Sequence, residues 1–223
     1  QNYNTAVIFL IFAAILDTLD GRIARLIKGT SEFGKELDSL TDFVSFGIAP
    51  AFILYFWELK NYGKIGWAIT LVFSVCCVLR LARFNLTKIS EDAEWQRNYF
   101  EGVPSPAGAI LILLPLIYEL SELQLNFDIK KFTPYLVIII AVFLISRIPT
   151  FSLKKIKTSS QLTIFLLFGI VLIFVSLIFF TFKTLLLLGL LYLFSIPVSY
   201  FQYKITNKKF SKISKEEDHE DIL

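Results

Sequence analysis

Histidine and cysteine are nearly absent from this sequence of 223 residues, and methionine is missing altogether. The single histidine, His219, lies in an acidic tail, which excludes both a Cys/His metal centre and a histidine general base. The two cysteines, Cys76 and Cys77, are adjacent within an apolar run. Because neighbouring residues of a helix point away from each other, this pair predicts two small core residues and not a disulfide.

Charged residues are scarce as well, at 18% of the chain, whereas a soluble domain has about a quarter. Hydrophobic residues reach 55%, and the runs 163–181 and 185–203 contain no charge. A helix needs roughly 20 apolar residues to cross the hydrocarbon core of a bilayer, and both runs come close to that length. The composition therefore excludes soluble, disordered and nucleic-acid-binding proteins and predicts a polytopic membrane protein.

Seven stretches of the chain are continuously apolar instead of alternating, which favours helices over membrane-spanning strands. These stretches are 6–26, 37–57, 65–84, 105–120, 132–148, 162–181 and 185–203. We expect an all-α bundle of about seven transmembrane helices within residues 1–205. A charged cytoplasmic tail over 206–223 would follow this membrane domain.

Lysine and arginine are unevenly divided between the two sets of loops that these spans create. Seventeen of the 22 basic residues fall on one side and five on the other. The richer side is expected to be cytoplasmic, because positive loops are retained there. Seven spans with an inside carboxyl terminus place residue 1 outside, so we expect at least one further span before it. The expected location is the inner membrane of the cell.

Four carboxylates break the apolar pattern at the cytoplasmic ends of two consecutive helices. Asp17 and Asp20 are three residues apart on the first helix, and Asp38 and Asp42 are four apart on the second. Both spacings place the side chains on one helix face. A charged side chain at membrane depth costs about 2.5–3.5 kcal/mol on insertion scales, so four of them require a function.

Converging carboxylates repel each other unless cations lie between them, and oxygen-only ligands suit hard divalent ions such as Mg²⁺ or Mn²⁺. Gly21 and Gly34 remove side chains where a ligand could approach the backbone, and Arg25 can meet a phosphate. Metal ions, phosphate and a spare carboxylate base together indicate phosphoryl transfer. The alternative is a set of helix-end charges that pair with Arg22, Arg25 and Lys35.

The pattern D-x2-D-G-x2-A-R-x8-G-x3-D-x3-D is complete from Asp17 to Asp42. It resembles the signature of the CDP-alcohol phosphotransferase family. Two further segments, 80–85 and 100–108, resemble the branch of that family whose acceptor is serine. Together the similarity covers most of residues 11–120.

The resemblance implies a reaction and a set of site residues. The phosphatidyl group of CDP-diacylglycerol would pass to the hydroxyl of L-serine, with CMP as the leaving group. Asp17, Asp20 and Asp38 would ligate two divalent metal ions, and Asp42 would be a further ligand and the general base. The residues implied for the CDP pocket are Asp17, Asp20, Gly21, Ala24, Arg25, Gly34 and Asp38. Membrane lipids and a second copy of the chain, forming a homodimer, are the other implied partners.

Arg80, Arg83 and Asn85 follow at the next cytoplasmic helix end and are the candidates for binding serine and lipid phosphate. One arginine would clamp the carboxylate of serine and the other would meet the lipid phosphate, and the sequence does not assign the two roles. Positive-inside anchoring at the headgroups is the simpler interpretation of both arginines. The alternative functions are a related phosphotransferase that uses glycerol phosphate or inositol phosphate, and a cation transporter with intramembrane carboxylates.

Overall fold

The computed structural model describes residues 2–26, 31–86, 99–123, 128–151 and 160–220. Helices make up nearly all of this part of the chain, which confirms the all-α fold class. The α-helices are α1 (Tyr3–Leu26), α2 (Glu32–Asp42), α3 (Ala49–Trp57), α4 (Gly63–Leu86), α5 (Ser105–Ile112), α6 (Leu114–Leu120), α7 (Thr133–Ile145), α8 (Ser160–Phe179) and α9 (Thr181–Glu220). A π-helical segment, Phe43–Ile48, joins α2 to α3, and 3-10 turns at Leu59–Tyr62 and Ile129–Phe132 precede α4 and α7.

Each of the seven apolar stretches is helical over most of its length, within one or two helices. By length and composition, three helices of the described residues can cross a membrane: Glu32–Trp57, Leu59–Leu86 and Thr181–Thr206. A shorter apolar helix covers Ile164–Phe179. The chain is therefore a membrane protein, and the full number of seven spans stays a prediction.

Two helices differ from the predicted stretches for identifiable reasons. The stretch 105–120 is divided into α5 and α6 at Leu113, because Pro115 lies in the first turn of α6 and cannot continue a helix from the preceding turn. Helix α9 continues through residue 205, the expected end of the membrane domain, and reaches Glu220.

The core lies where α4 packs against the π-helical segment and α7. Phe46 and Phe73 are completely buried there. A Cβ placed on Gly47 would lie 3.2 Å from the Sγ atom of Cys77, so the glycine allows the two helices to approach closely. Cys76 and Cys77 are buried and free, which confirms their interpretation as small core residues.

A two-stranded antiparallel ribbon is another feature of the described fold that the apolar pattern did not predict. Strand β1 (Tyr99–Glu101) pairs with β2 (Pro149–Phe151), which follows α7. Gly102 then adopts a φ of +74°, and its N–H donates to the carbonyl of Ile148 at 2.9 Å. A Cβ here would lie 2.7 Å from the carbonyl oxygen of Ser146, so the turn requires glycine. The ribbon places β2 against α9.

An apolar groove of about 700 Å³ runs between α7 and α9. Phe143, Phe194 and Pro197 are among its lining residues, and Tyr135 and Tyr200 also contribute. None of its lining residues is charged, so this groove is separate from the carboxylates described next.

Candidate active site

Three of the four predicted carboxylates meet in one group. Asp17 and Asp20 project from α1 and Asp38 projects from α2, and each offers an oxygen within 4.8 Å of the oxygens of the other two. Asp17 is partly buried, whereas Asp20 and Asp38 are exposed. The spacings of three and four residues, which place each pair on one face, thus bring two helices together at a shared carboxylate cluster.

The geometry of this cluster fits a divalent cation. An ion with ligand distances of about 2.1 Å holds its oxygens up to about 4.2 Å apart, so small side-chain rotations would bring these three oxygens onto one ion. All three groups are carboxylates, which are the ligands that hard divalent cations prefer. The described residues therefore include a group that could hold a metal ion.

Asp42, the predicted base, occupies the last position of α2, one turn beyond Asp38. Like Asp17 it is partly buried, and it interacts electrostatically with Asp17, Asp38 and Arg80. Its Oδ1 atom is buried and has no hydrogen-bond partner among the residues that the structure describes. The helix changes directly after it to the π-helical segment, a local irregularity that is frequent at functional sites.

Among the residues whose side chains the structure describes, none of the four carboxylates forms an ion pair. Lys35 pairs with Glu32 at 2.8 Å on the exposed surface of α2, and not with an aspartate of the cluster. The other described ion pairs are Lys130–Glu119 and Lys131–Asp128, which lie elsewhere in the sequence. The side chains of Ala24 and Arg25 lie outside the described part of the chain, so their predicted roles in the CDP pocket rest on the sequence.

The two glycines predicted for the CDP pocket have different surroundings. A Cβ built on Gly21 meets no described atom within 4 Å outside its own stretch of helix. A Cβ on Gly34 would lie 3.1 Å from the Oγ atom of Ser31. Ser31 is the N-cap of α2, and its hydroxyl accepts a hydrogen bond from the N–H of Gly34 at 3.0 Å. Gly34 therefore also serves the start of its own helix, whereas no contact with the described residues requires a glycine at position 21.

The two arginines of α4, which the sequence could not tell apart, have distinct environments. Arg80 is largely buried, and its Nη1 atom donates to the hydroxyl of Ser105 at 2.6 Å. Its Nε atom is buried without a hydrogen-bond partner among the described residues. Arg80 also lies close enough to Asp42 to interact with it electrostatically.

Arg83 instead binds the carboxyl end of α7. Its Nη1 and Nη2 atoms donate to the carbonyls of Ile145 and Ser146 at 2.6 and 3.3 Å. Carbonyls at the end of a helix lack partners within that helix, and a guanidinium is well suited to satisfy them. Asn85 is also engaged in the protein, because its Nδ2 atom donates to the hydroxyl of Ser39 on α2 at 2.8 Å. These contacts connect α4 to its neighbours.

Comparison with known proteins identifies the family. The model of the family described as CDP-alcohol phosphatidyltransferase matches residues 1–145, which is more than half of the chain. The chain belongs to the CDP-alcohol phosphatidyltransferase family. The matched residues include all four carboxylates and both arginines of α4, and they exclude α8 and α9.

Several relatives of this family member share one printed name, CDP-diacylglycerol–serine O-phosphatidyltransferase. The protein of that name from Helicobacter pylori is 38% identical over 170 residues, which cover 76% of this chain and 68% of the relative. The one from Mycobacterium leprae is 41% identical over 161 residues, covering 70% of this chain and 51% of the relative. The one from Bacillus subtilis is 36% identical over 120 residues, covering 53% and 64% respectively.

Sequence reasoning missed two polar residues that this CDP-alcohol phosphatidyltransferase places beside Arg80. Ser105 begins α5 and is 1% exposed. Tyr192 lies on α9 and interacts electrostatically with Arg80. Ser105 lies between two prolines in the segment 100–108, whose resemblance to the serine branch did not single it out, and Tyr192 lies in an uncharged run. No local pattern assigns a polar role to either residue.

Proposed function

We propose that this protein transfers the phosphatidyl group of CDP-diacylglycerol to the hydroxyl of L-serine and releases CMP. The observation that carries the proposal is the convergence of Asp17, Asp20 and Asp38 beside Asp42. Family membership supports the phosphotransfer, and the shared name of the relatives supports serine as the acceptor.

Asp17, Asp20 and Asp38 would hold the divalent cations, with Asp42 as a further ligand. Small side-chain rotations would bring their oxygens onto a first ion, and a second ion, Mg²⁺ or Mn²⁺ in each case, is part of the proposal. Bound cations supply positive charge that offsets the pyrophosphate of the donor and stabilises CMP as it leaves.

Asp42 would act as the general base. Its Oδ1 atom is buried and unpaired among the described residues, so it is available to accept the proton of the serine hydroxyl. The serine oxygen then forms a bond to the phosphorus that carries diacylglycerol. The bond from this phosphorus to the CMP oxygen breaks, and the electron pair leaves with CMP. The chain has no histidine outside its acidic tail to compete for this role.

Arg80 is the better candidate for the carboxylate of serine, and Arg83 for a structural role. Arg80 combines an unpaired buried Nε atom with proximity to Asp42. Arg83 already donates to two carbonyls at the end of α7. Asn85 would support the site indirectly, because it holds Ser39 between the carboxylates of Asp38 and Asp42 on α2.

The CDP moiety would lie along α1 and the start of α2. Asp17, Asp20 and Asp38 contribute to this pocket as well as to the metal site. Four further residues complete the proposed lining: Gly21, Ala24, Arg25 and Gly34. The open space around a Cβ at Gly21 supports a close approach of the nucleotide to the α1 backbone.

The proposed arrangement in the cell follows the distribution of basic residues. The active site would face the cytoplasm from the inner membrane, since seventeen of 22 lysines and arginines fall on that side of the predicted spans. Residues 1–205 would form the membrane domain and 206–223 a cytoplasmic tail. Membrane lipids would surround the domain, and two copies would associate as a homodimer.

The test is an acceptor panel with the purified protein in detergent. CDP-diacylglycerol and Mn²⁺ or Mg²⁺ are incubated with L-serine, glycerol phosphate, inositol phosphate or ethanolamine, and the lipid product and CMP are measured. We expect phosphatidylserine and CMP with L-serine, a much slower reaction with ethanolamine, which lacks the carboxylate, and no product from glycerol phosphate or inositol phosphate. A product from glycerol phosphate or inositol phosphate instead would assign the protein to another branch of the family. No CMP with any acceptor would contradict the phosphotransfer itself.

A further inference from the structure

Arg80 and two side chains with which it interacts electrostatically each carry a buried polar atom that has no hydrogen-bond partner among the described residues. These atoms are Oδ1 of Asp42, Nε of Arg80 and the hydroxyl of Tyr192. The three residues come from α2, α4 and α9, so the tertiary fold and not a local motif brings them together.

Unpaired buried polar atoms are rare in folded proteins, because each one loses its hydrogen bonds to water and gains none in return. Three of them around one place indicate that something polar binds there. Ser105 already accepts from Nη1 of Arg80, and Thr150 lies beside Tyr192, where its own hydroxyl donates to the carbonyl of Gly102 at 2.8 Å. An oxyanion bound between Arg80 and Tyr192 would accept hydrogen bonds from both.

We propose that the hydroxyl of Tyr192 donates a hydrogen bond to the carboxylate of the acceptor amino acid while Arg80 binds the same carboxylate. This inference rests on the proposed function and extends it to a helix that the family match does not reach. Two donors on different helices fix the orientation of a carboxylate better than one. The bound amino acid would then present its hydroxyl to Asp42 on the opposite side of Arg80.

A lipid phosphate is the other oxyanion that these two donors could bind. The carboxylate is favoured because Asp42 interacts electrostatically with Arg80, so the oxyanion lies next to the proposed base. An acceptor must reach that base with its hydroxyl. The kinetic constants distinguish the two oxyanions. If the donors bind the serine carboxylate, loss of one donor raises the KM for L-serine, and if they bind the lipid phosphate, it raises the KM for CDP-diacylglycerol.

The test compares Tyr192→Phe with Tyr200→Phe, a matched control on the same helix whose side chain is exposed on the apolar groove. Phenylalanine keeps the ring and removes only the hydroxyl. Loss of a hydrogen bond to a charged group predicts a KM for L-serine that is roughly 10- to 150-fold higher in Tyr192→Phe. The KM for CDP-diacylglycerol and the kcat at saturating serine should stay unchanged, and the control should match the wild type.

A second readout separates recognition from a general structural effect. The ratio of kcat/KM for L-serine to that for ethanolamine does not depend on the fraction of protein that folds. This ratio should fall in Tyr192→Phe. Ethanolamine has no carboxylate for Tyr192 to bind, so the substitution should slow only the reaction with L-serine. The melting temperature should not decrease, because the substitution removes a buried hydroxyl that has no partner.

Two results would overturn the inference while leaving the proposed function intact. One is phosphatidylserine synthesis by Tyr192→Phe with the wild-type KM for L-serine. The other is a raised KM for CDP-diacylglycerol with an unchanged acceptor ratio, which would assign the oxyanion to the lipid phosphate. Failure of the wild type to make phosphatidylserine would instead overturn the proposed function and this inference together.

Discussion

Replacing Gly21 with alanine separates binding of the nucleotide from stability of the fold. Gly21 lies inside α1, five residues before the helix ends at Leu26. A Cβ there meets no described atom within 4 Å outside its own stretch of helix, so the described residues leave room for the added methyl group. We therefore expect any loss of function in Gly21→Ala to come from a ligand that occupies this space.

The two expected effects have opposite signs. Alanine is more favourable than glycine in a helix interior by about 0.8–1.0 kcal/mol, so Gly21→Ala should stabilise the folded protein slightly. A methyl group forced into a closely packed contact costs about 1–3 kcal/mol. Applied to a nucleotide lying against α1, that cost weakens binding of CDP-diacylglycerol by roughly 5- to 150-fold.

The assay measures the dissociation constant of CDP-diacylglycerol by calorimetry in detergent, and the melting temperature of the same preparation. Gly169→Ala is the matched control, because Gly169 is also inside a helix, α8, with no described atom within 4 Å of its Cβ position. The control should gain the same stability and bind CDP-diacylglycerol normally. Wild-type affinity in Gly21→Ala would refute the placement of the nucleotide along α1.

The remaining predictions concern metal, base, acceptor and topology. Chelation with EDTA should abolish transfer, and added Mn²⁺ or Mg²⁺ should restore it; activity that persists in EDTA contradicts the metal site. Asp42→Asn should retain CDP-diacylglycerol binding and lower kcat by at least about 10²-fold, and near-normal turnover would assign the base to another residue. Arg80→Lys should raise the KM for serine by roughly 10- to 150-fold, whereas Arg83→Lys should lower the melting temperature and leave that KM unchanged. Cysteines placed at Lys157 and Asn126, both outside the described residues, should be labelled from the cytoplasm and from outside respectively, and reversed labelling would contradict the orientation.

The helices and the carboxylate cluster could be predicted from the sequence because both depend on local spacing. Continuous apolar runs predicted helices at the places where they occur. Spacings of three and four residues placed Asp17 with Asp20 and Asp38 with Asp42 on helix faces. A short connection then left few ways to arrange the two helices, and the cluster of Asp17, Asp20 and Asp38 is the result.

The roles of the arginines depended on distant parts of the chain and could not be predicted. Arg83 donates to carbonyls 62 and 63 residues away, at the end of α7. That end is set by the break before β2, and the apolar stretch 132–148 gave no sign of it. Tyr192 was missed for the same reason, since packing of α9 against β2 brings its side chain next to Thr150 and within electrostatic range of Arg80.

The most direct test of the central claim is a stoichiometry measurement with labelled L-serine, CDP-diacylglycerol and Mn²⁺, using wild type and Asp20→Asn. We expect the wild type to form labelled phosphatidylserine and CMP in equal amounts. Asp20→Asn, which removes one carboxylate from the exposed side of the cluster, should form neither. Equal amounts of both products from Asp20→Asn at the wild-type rate, or CMP released by the wild type without labelled lipid, would contradict transfer at this cluster.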